Sequence, residues 1–191
     1  MKPILFSTEM VKAILAGNKT MTRRVVPERI VDKYYEYEDF CNAVSCPEIN
    51  GQRESEHDFY LKRVKYRVGD ILYVRETWGI GIQLAGTVVY RADYVGKKAP
   101  LAEGQKWKPS MFMPKELARI FLRVTDVRTE RLNHISEADA IEEGVLSVMY
   151  EYAKPLYAFE KLWDRINGER PGCSWADNPW VWIYEFERIE K

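Results

Sequence analysis

Extended, period-two segments outnumber helical ones in this chain, and the two kinds do not alternate. A doubly wound parallel sheet needs a helix between successive strands, so this order argues against it and for a small mixed barrel. Strand signals cover Pro3 to Phe6, Thr20 to Val26, Ile71 to Thr77, Thr87 to Ala92 and Ala118 to Arg128. In the last of these Ile120, Leu122 and Val124 line one face, which predicts a central strand. The final stretch sets Trp180, Trp182, Tyr184 and Phe186 at alternate positions, as one face of a terminal strand.

Helical signals are fewer. Ser7 or Thr8 caps a stripe of Met10, Val11, Ile14 and Leu15 that stops at Gly17. Ser136-Glu137-Ala138-Asp139 resembles a capping box and predicts a helix of about two turns from Glu137 to Glu143, ended by Gly144. Leu156, Phe159, Trp163 and Ile166 recur at helical spacing between Pro155 and Gly168. The stretch from Glu28 to Lys65 mixes Tyr, Glu, Asp, Arg and Lys without a sustained period, with turn signals at Cys46-Pro47 and Asn50-Gly51. It reads as an insertion into a single domain spanning residues 1–191.

Charge limits the partners. Twenty-nine basic residues balance twenty-nine acidic ones, so attraction of a polyanion has to be local. Cys41, Cys46 and Cys173 are too few for a disulfide framework, and with His57 they match no zinc spacing, so no metal or cofactor is implied. There is no phosphate-binding glycine loop. No signal peptide is visible and no apolar run approaches the roughly 20 residues that span a bilayer, so the expectation is a soluble, cytoplasmic protein. Core packing accounts for most of the aromatic 13%.

Four segments carry a family resemblance. Gly17-Asn18-Lys19-Thr20-Met21-Thr22-Arg23 fits a G-x-K-x-x-x-R signature after the first helix. Arg67 to Leu72, Val124 to Val127 with the Ser136 to Gly144 helix, and Val181 to Phe186 follow in order. In this register the chain resembles the ASCH family, whose fold is α+β, a PUA-like mixed β-barrel with flanking short helices. It is also similar to larger, phage-associated members through Thr22-Arg23-Arg24, Val74 to Trp78, Trp107-Lys108-Pro109-Ser110 and Asn178 to Trp182. The resemblance spans nearly the whole chain outside Glu28 to Lys65 and Leu146 to Pro155.

Small bacterial ASCH proteins similar to the core of this chain are amidohydrolases acting on N4-acetylcytidine with a Lys, a Thr and a Glu. The resemblance carries these roles to Lys19, Thr22 and Glu143, with Glu142 beside the last as the alternative. The chemistry suits acyl transfer, since a Thr hydroxyl becomes a nucleophile only when a base takes its proton. Lys19 serves as that base if its pKa is depressed. Arg23, Arg24 and desolvation in a cleft push it down, whereas a carboxylate neighbour pushes it up. At a helix C-terminus the macrodipole disfavours negative charge by roughly 0.3 to 1 kcal/mol, which suits a glutamate that donates a proton.

Substrate contacts are expected from Arg23 and Arg24 through paired donors, from Trp78 and Trp107 by stacking, from Ser110 at a base edge and from Glu76 at an exocyclic amine. The expected partner is a modified cytosine nucleoside or RNA, with no membrane. Two alternatives use the same basic cleft: a non-catalytic module that docks RNA or single-stranded nucleic acid, and a ribonuclease.

Overall fold

The computed structural model describes residues 1–43, 53–82, 87–94, 96–97, 101–147 and 154–190. Its strands are β1 (Lys2–Leu5), β2 (Met21–Val25), β3 (Ile71–Arg75), β4 (Trp78–Ile80), β5 (Val88–Tyr90), β6 (Phe121–Arg131) and β7 (Trp180–Ile189). Its α-helices are α1 (Thr8–Leu15), α2 (Glu28–Ala43), α3 (Glu56–Leu61), α4 (Glu137–Glu142) and α5 (Pro155–Asn167). Five strands form one sheet in the order β1-β3-β6-β7-β2, and β4 pairs with β5 apart from it. β6 is thus central, and its Leu122 and Val124, with Ile120 just before it, are buried. The β6–β7 ladder shifts register between Val124 and Asp126, a bulge that lets two long strands bend together.

β1 runs parallel to β3 while the other sheet pairings are antiparallel. The outer strands are β1 and β2, and among the described residues no ladder joins them, so backbone pairing does not close a barrel. A side chain spans the gap instead: Arg24 of β2 donates from Nη2 to the Leu5 carbonyl oxygen at 2.7 Å. β7 is covered on both faces, with Val181 to Tyr184 all buried rather than one alternate set. A strand buried on both faces needs apolar residues at successive positions, which this segment supplies.

The expected insertion is tied into the core. α2 presents Ile30, Tyr34, Tyr37 and Cys41 at helical spacing, and α3 buries Phe59 and Tyr60. The Trp182 indole Nε1–H donates to the Tyr60 carbonyl at 3.0 Å, and the Tyr60 ring meets Trp180 edge-on. Each such ring adds roughly 0.5 to 1.5 kcal/mol beyond its buried area. The turn signals at Cys46-Pro47 and Asn50-Gly51 lie outside the described residues.

Local chemistry sets the helix ends that frame the site. Ser7 Oγ accepts from the Met10 amide and Ser136 Oγ from the Asp139 amide, each cap contributing about 1 kcal/mol. α5 begins with Pro155 and buries Ala158, Phe159, Leu162 and Trp163 along one face. That face looks across to β2. No helix among the described residues is long and apolar enough to cross a membrane.

Candidate functional site

β2, the α1–β2 turn and the C-terminal end of α4 converge because the backbone joins them directly. Lys19 and Glu143 form an isolated antiparallel bridge, and the Thr20 amide donates to the Glu142 carbonyl at 2.9 Å. Gly144 makes the approach possible. Its φ is +80°, and a Cβ there would lie 2.9 Å from the Ala13 Cβ and 3.0 Å from the Lys19 Cβ.

The side chains of the bridged pair then meet in the interior. Lys19 Nζ donates to Glu143 Oε2 at 2.7 Å and to the Glu143 carbonyl at 2.9 Å. Lys19 is 3% exposed and Glu143 5%. Arg23 Nη1 donates to the other carboxylate oxygen of Glu143 at 3.4 Å, and its Nη2 to Asp139 Oδ2 at 2.5 Å. Asp139 and Glu143 stand four residues apart at opposite ends of α4, so one arginine reads both. Glu143 therefore faces the interior, while Glu142 is exposed and accepts from the Thr20 hydroxyl at 3.4 Å.

These groups line a cavity of about 310 Å³. Thr22, Arg24 and Arg170 share its lining with Lys19, Arg23 and Glu143, and Phe6, Met10, Phe159, Leu162 and Trp163 give it apolar walls. Thr22 is 4% exposed, and no hydrogen bond among the described residues engages its hydroxyl. Arg24 lies against the Phe6 ring, 5.2 Å from its centroid, and Lys19 Nζ stands 5.6 Å from the same centroid.

Burial dominates the electrostatics. Desolvation holds the Lys19 ammonium below its ordinary pKa, against the opposing pull of Glu143, while Arg23 and Arg24 push the same way as burial. Burial pushes Asp139 up, but the bond and charge of Arg23, together with Ser136 and Arg128, outweigh it and hold the carboxyl below the usual range. A buried ion pair of this kind recovers its desolvation cost only through good geometry and further hydrogen bonds, which the Glu143 carbonyl and Arg23 supply.

The other expected contacts lie elsewhere. Glu76, Trp78, Trp107 and Ser110 do not line this cavity. Glu76 is 1% exposed and its carboxylate is occupied by Arg119, whose Nε and Nη2 donate at 2.8 and 3.0 Å while Asp93 takes further bonds. Trp78 is buried with Lys108 Nζ 4.6 Å from its ring centroid. Trp107 packs over Gly79, where a Cβ would come within 3.4 Å of the indole, and Ser110 opens a single 3-10 turn. These four belong to the β4–β5 side, where the chain has left the main sheet. Sequence reasoning missed Arg170 and the role of Asp139. Asp139 carries a local signal as a capping residue, but nothing in the linear order ties it to Arg23.

No family model matches the chain, and no curated protein matches it. Among solved structures, an Enterococcus faecalis protein of the DUF984 family is similar at 12% identity and TM-score 0.42, over 94% of this chain and 66% of that one. An ASCH domain from Lactobacillus crispatus is similar at 13% identity and TM-score 0.40, over 95% of this chain and 71% of that one. This chain thus spans about two thirds of the length of each. Likenesses this loose carry no argument about chemistry.

Proposed function

We propose that the chain is an amidohydrolase that removes the acyl group from N4-acylated cytosine nucleosides, with Thr22 as nucleophile, Lys19 as base and Glu143 as acid. The observation that supports this reading is the buried Lys19–Glu143 pair, joined at 2.7 Å in the cavity that Thr22 lines with an unengaged hydroxyl. The pair holds one exchangeable proton. Passing it from Nζ to the carboxylate during the reaction leaves a free amine beside a carboxylic acid with no change in net charge.

The steps then balance. Thr22 Oγ1 attacks the acyl carbonyl carbon and its proton passes to the Lys19 amine. The tetrahedral intermediate collapses as the C–N4 bond breaks, with the Glu143 carboxyl protonating the departing amine. Water next attacks the Thr22 ester as the Glu143 carboxylate takes its proton, the ester C–O bond breaks with Lys19 returning a proton to Thr22 Oγ1, and the carboxylic acid leaves with the amine and carboxyl restored.

The test is turnover of N4-acetylcytidine by wild type and Thr22→Val, a near-isosteric change that removes only the hydroxyl. Wild type should release cytidine and acetate and Thr22→Val should fall to background while still binding substrate. Absence of turnover in wild type, or unimpaired turnover in Thr22→Val, overturns the reading.

A second reading, docking of RNA or single-stranded nucleic acid without catalysis, draws on a second cavity of about 570 Å³ that shares Val25 and Arg170 with the first. In it Arg131 stacks 4.8 Å from the Trp180 ring centroid. Under that reading Thr22→Val leaves affinity intact and Arg24→Ala weakens it and flattens its salt dependence.

A further inference from the structure

The first cavity holds more positive charge than its carboxylate can balance. Lys19, Arg23, Arg24 and Arg170 line it, and Glu143 is the one acidic lining residue among the described residues. The chain as a whole is balanced, so this excess is local. Lys19 and Arg23 share Glu143, and Arg23 has Asp139 as well. Arg24 and Arg170 form no ion pair among the described residues.

Both guanidiniums are nonetheless held in position. Arg24 is fixed by the Leu5 carbonyl and the Phe6 ring, and no hydrogen bond among the described residues takes its Nε or Nη1 hydrogens. Arg170, just past the end of α5, donates from Nη2 to the Asn167 side-chain oxygen, and Asn167 is 9% exposed and anchored by Nδ2 to the Trp163 carbonyl at 3.3 Å. Burial draws Arg24 below its ordinary pKa against the opposing charge of Glu143, and the charge of Arg170 adds a smaller effect in the same direction as burial. Arg24, half-buried, and Arg170, exposed, line the same cavity and repel one another, an arrangement that an anion relieves, and their planar donor forks match the oxygens of a phosphate.

We propose that this cavity takes a cytosine nucleoside phosphate, with the base at the Lys19 and Thr22 end and the phosphate between Arg24 and Arg170. The proposal rests on the reading that the cavity holds a cytosine base, and it changes the substrate class from nucleoside to nucleotide. Arg170 is then the residue that sets specificity. Because it also lines the second cavity, a phosphate there can be terminal or can bridge to a following nucleotide.

The experiment compares binding of cytidine and cytidine 5′-monophosphate by calorimetry, and hydrolysis of their N4-acetyl forms, in wild type and Arg170→Ala. Wild type should favour the monophosphate by about tenfold or more, and the alanine variant should bring that ratio to within about threefold of one. Arg170→Lys should restore part of the preference, since it keeps charge but loses the fork. Raising the salt concentration should erode it. A ratio near one in wild type, or one that Arg170→Ala leaves unmoved, overturns the proposal. If the nucleotide preference depends on Arg170 but neither acetyl compound is hydrolysed, the phosphate site stands and the amidohydrolase reading falls. If both are hydrolysed equally well, the reverse holds. Tighter binding of a short oligocytidylate than of the monophosphate identifies a bridging phosphate, and weaker binding a terminal one; either keeps the clamp.

Discussion

Replacing Glu143 with Gln keeps the shape of the site but leaves Lys19 buried without a carboxylate. Lys19 is 3% exposed, so water cannot take over. An ion stranded this way costs about 3 to 5 kcal/mol. The cost has a ceiling, since Lys19 can shed its proton instead, and neutralising an amine of ordinary pKa about 10.4 at pH 7 takes about 4.6 kcal/mol. Urea denaturation followed by Trp fluorescence at pH 7 should therefore show Glu143→Gln about 3 to 4.5 kcal/mol less stable than wild type. Burial depresses the folded-state pKa of Lys19 against the pull of Glu143, so removing that carboxylate lowers it further in the variant than in wild type. Between that value and the unfolded one the unfolded chain binds the extra proton, so stability rises with pH across the window. At pH 9.5 the ceiling drops to about 1.2 kcal/mol, and the gap to wild type should close to about that size. A double variant, Lys19→Met with Glu143→Leu, should recover most of the loss at pH 7 because no charge is stranded. A Glu143→Gln protein as stable as wild type at pH 7, or a deficit of unchanged size at pH 9.5, would refute the buried-charge reasoning.

Asp139→Asn should destabilise the fold at neutral pH by about 1 to 3 kcal/mol, because Arg23 loses its shortest partner. In wild type that contribution is present above the unfolded pKa of Asp139 and is lost as pH falls through its depressed folded value, so acid unfolding of the variant should be correspondingly flatter, as thermal melts from pH 7 to pH 2 would record. Gly144→Ala should cost about 2 kcal/mol or more by thermal unfolding, since φ is +80° and the new methyl meets Ala13 and Lys19. It should also impair any turnover, because the displaced atom is the Lys19 Cβ. Glu76→Gln should lower stability by disturbing Arg119 while leaving the turnover of N4-acetylcytidine per folded molecule as in wild type, which an activity assay corrected for folded fraction measures.

Much of the local structure was legible because its causes are local. The Ser7 and Ser136 caps, Pro155 at the start of α5, the left-handed Gly17 and Gly144 and the alternating apolar face of β6 are each written within a few residues. α2 was not read, although Ile30, Tyr34, Tyr37 and Cys41 repeat at helical spacing. Its exposed side carries Tyr35 and Phe40, and apolar residues on both sides blur a period. The resemblance supplied Lys19, Thr22 and Glu143, and it was the backbone bridge that put Glu143 rather than Glu142 against Lys19.

Order along the chain determined where strands and helices begin and end, since capping, turn chemistry and periodicity act over distances of a turn or a few residues. Only the tertiary structure decided which charges meet: Lys19 with Glu143, 124 residues away, Arg23 with Asp139, 116 away, and Glu76 with Arg119, 43 away. A carboxylate's partner is chosen by how strands cross and which side chains are denied water, and neither is encoded within a window of neighbouring residues.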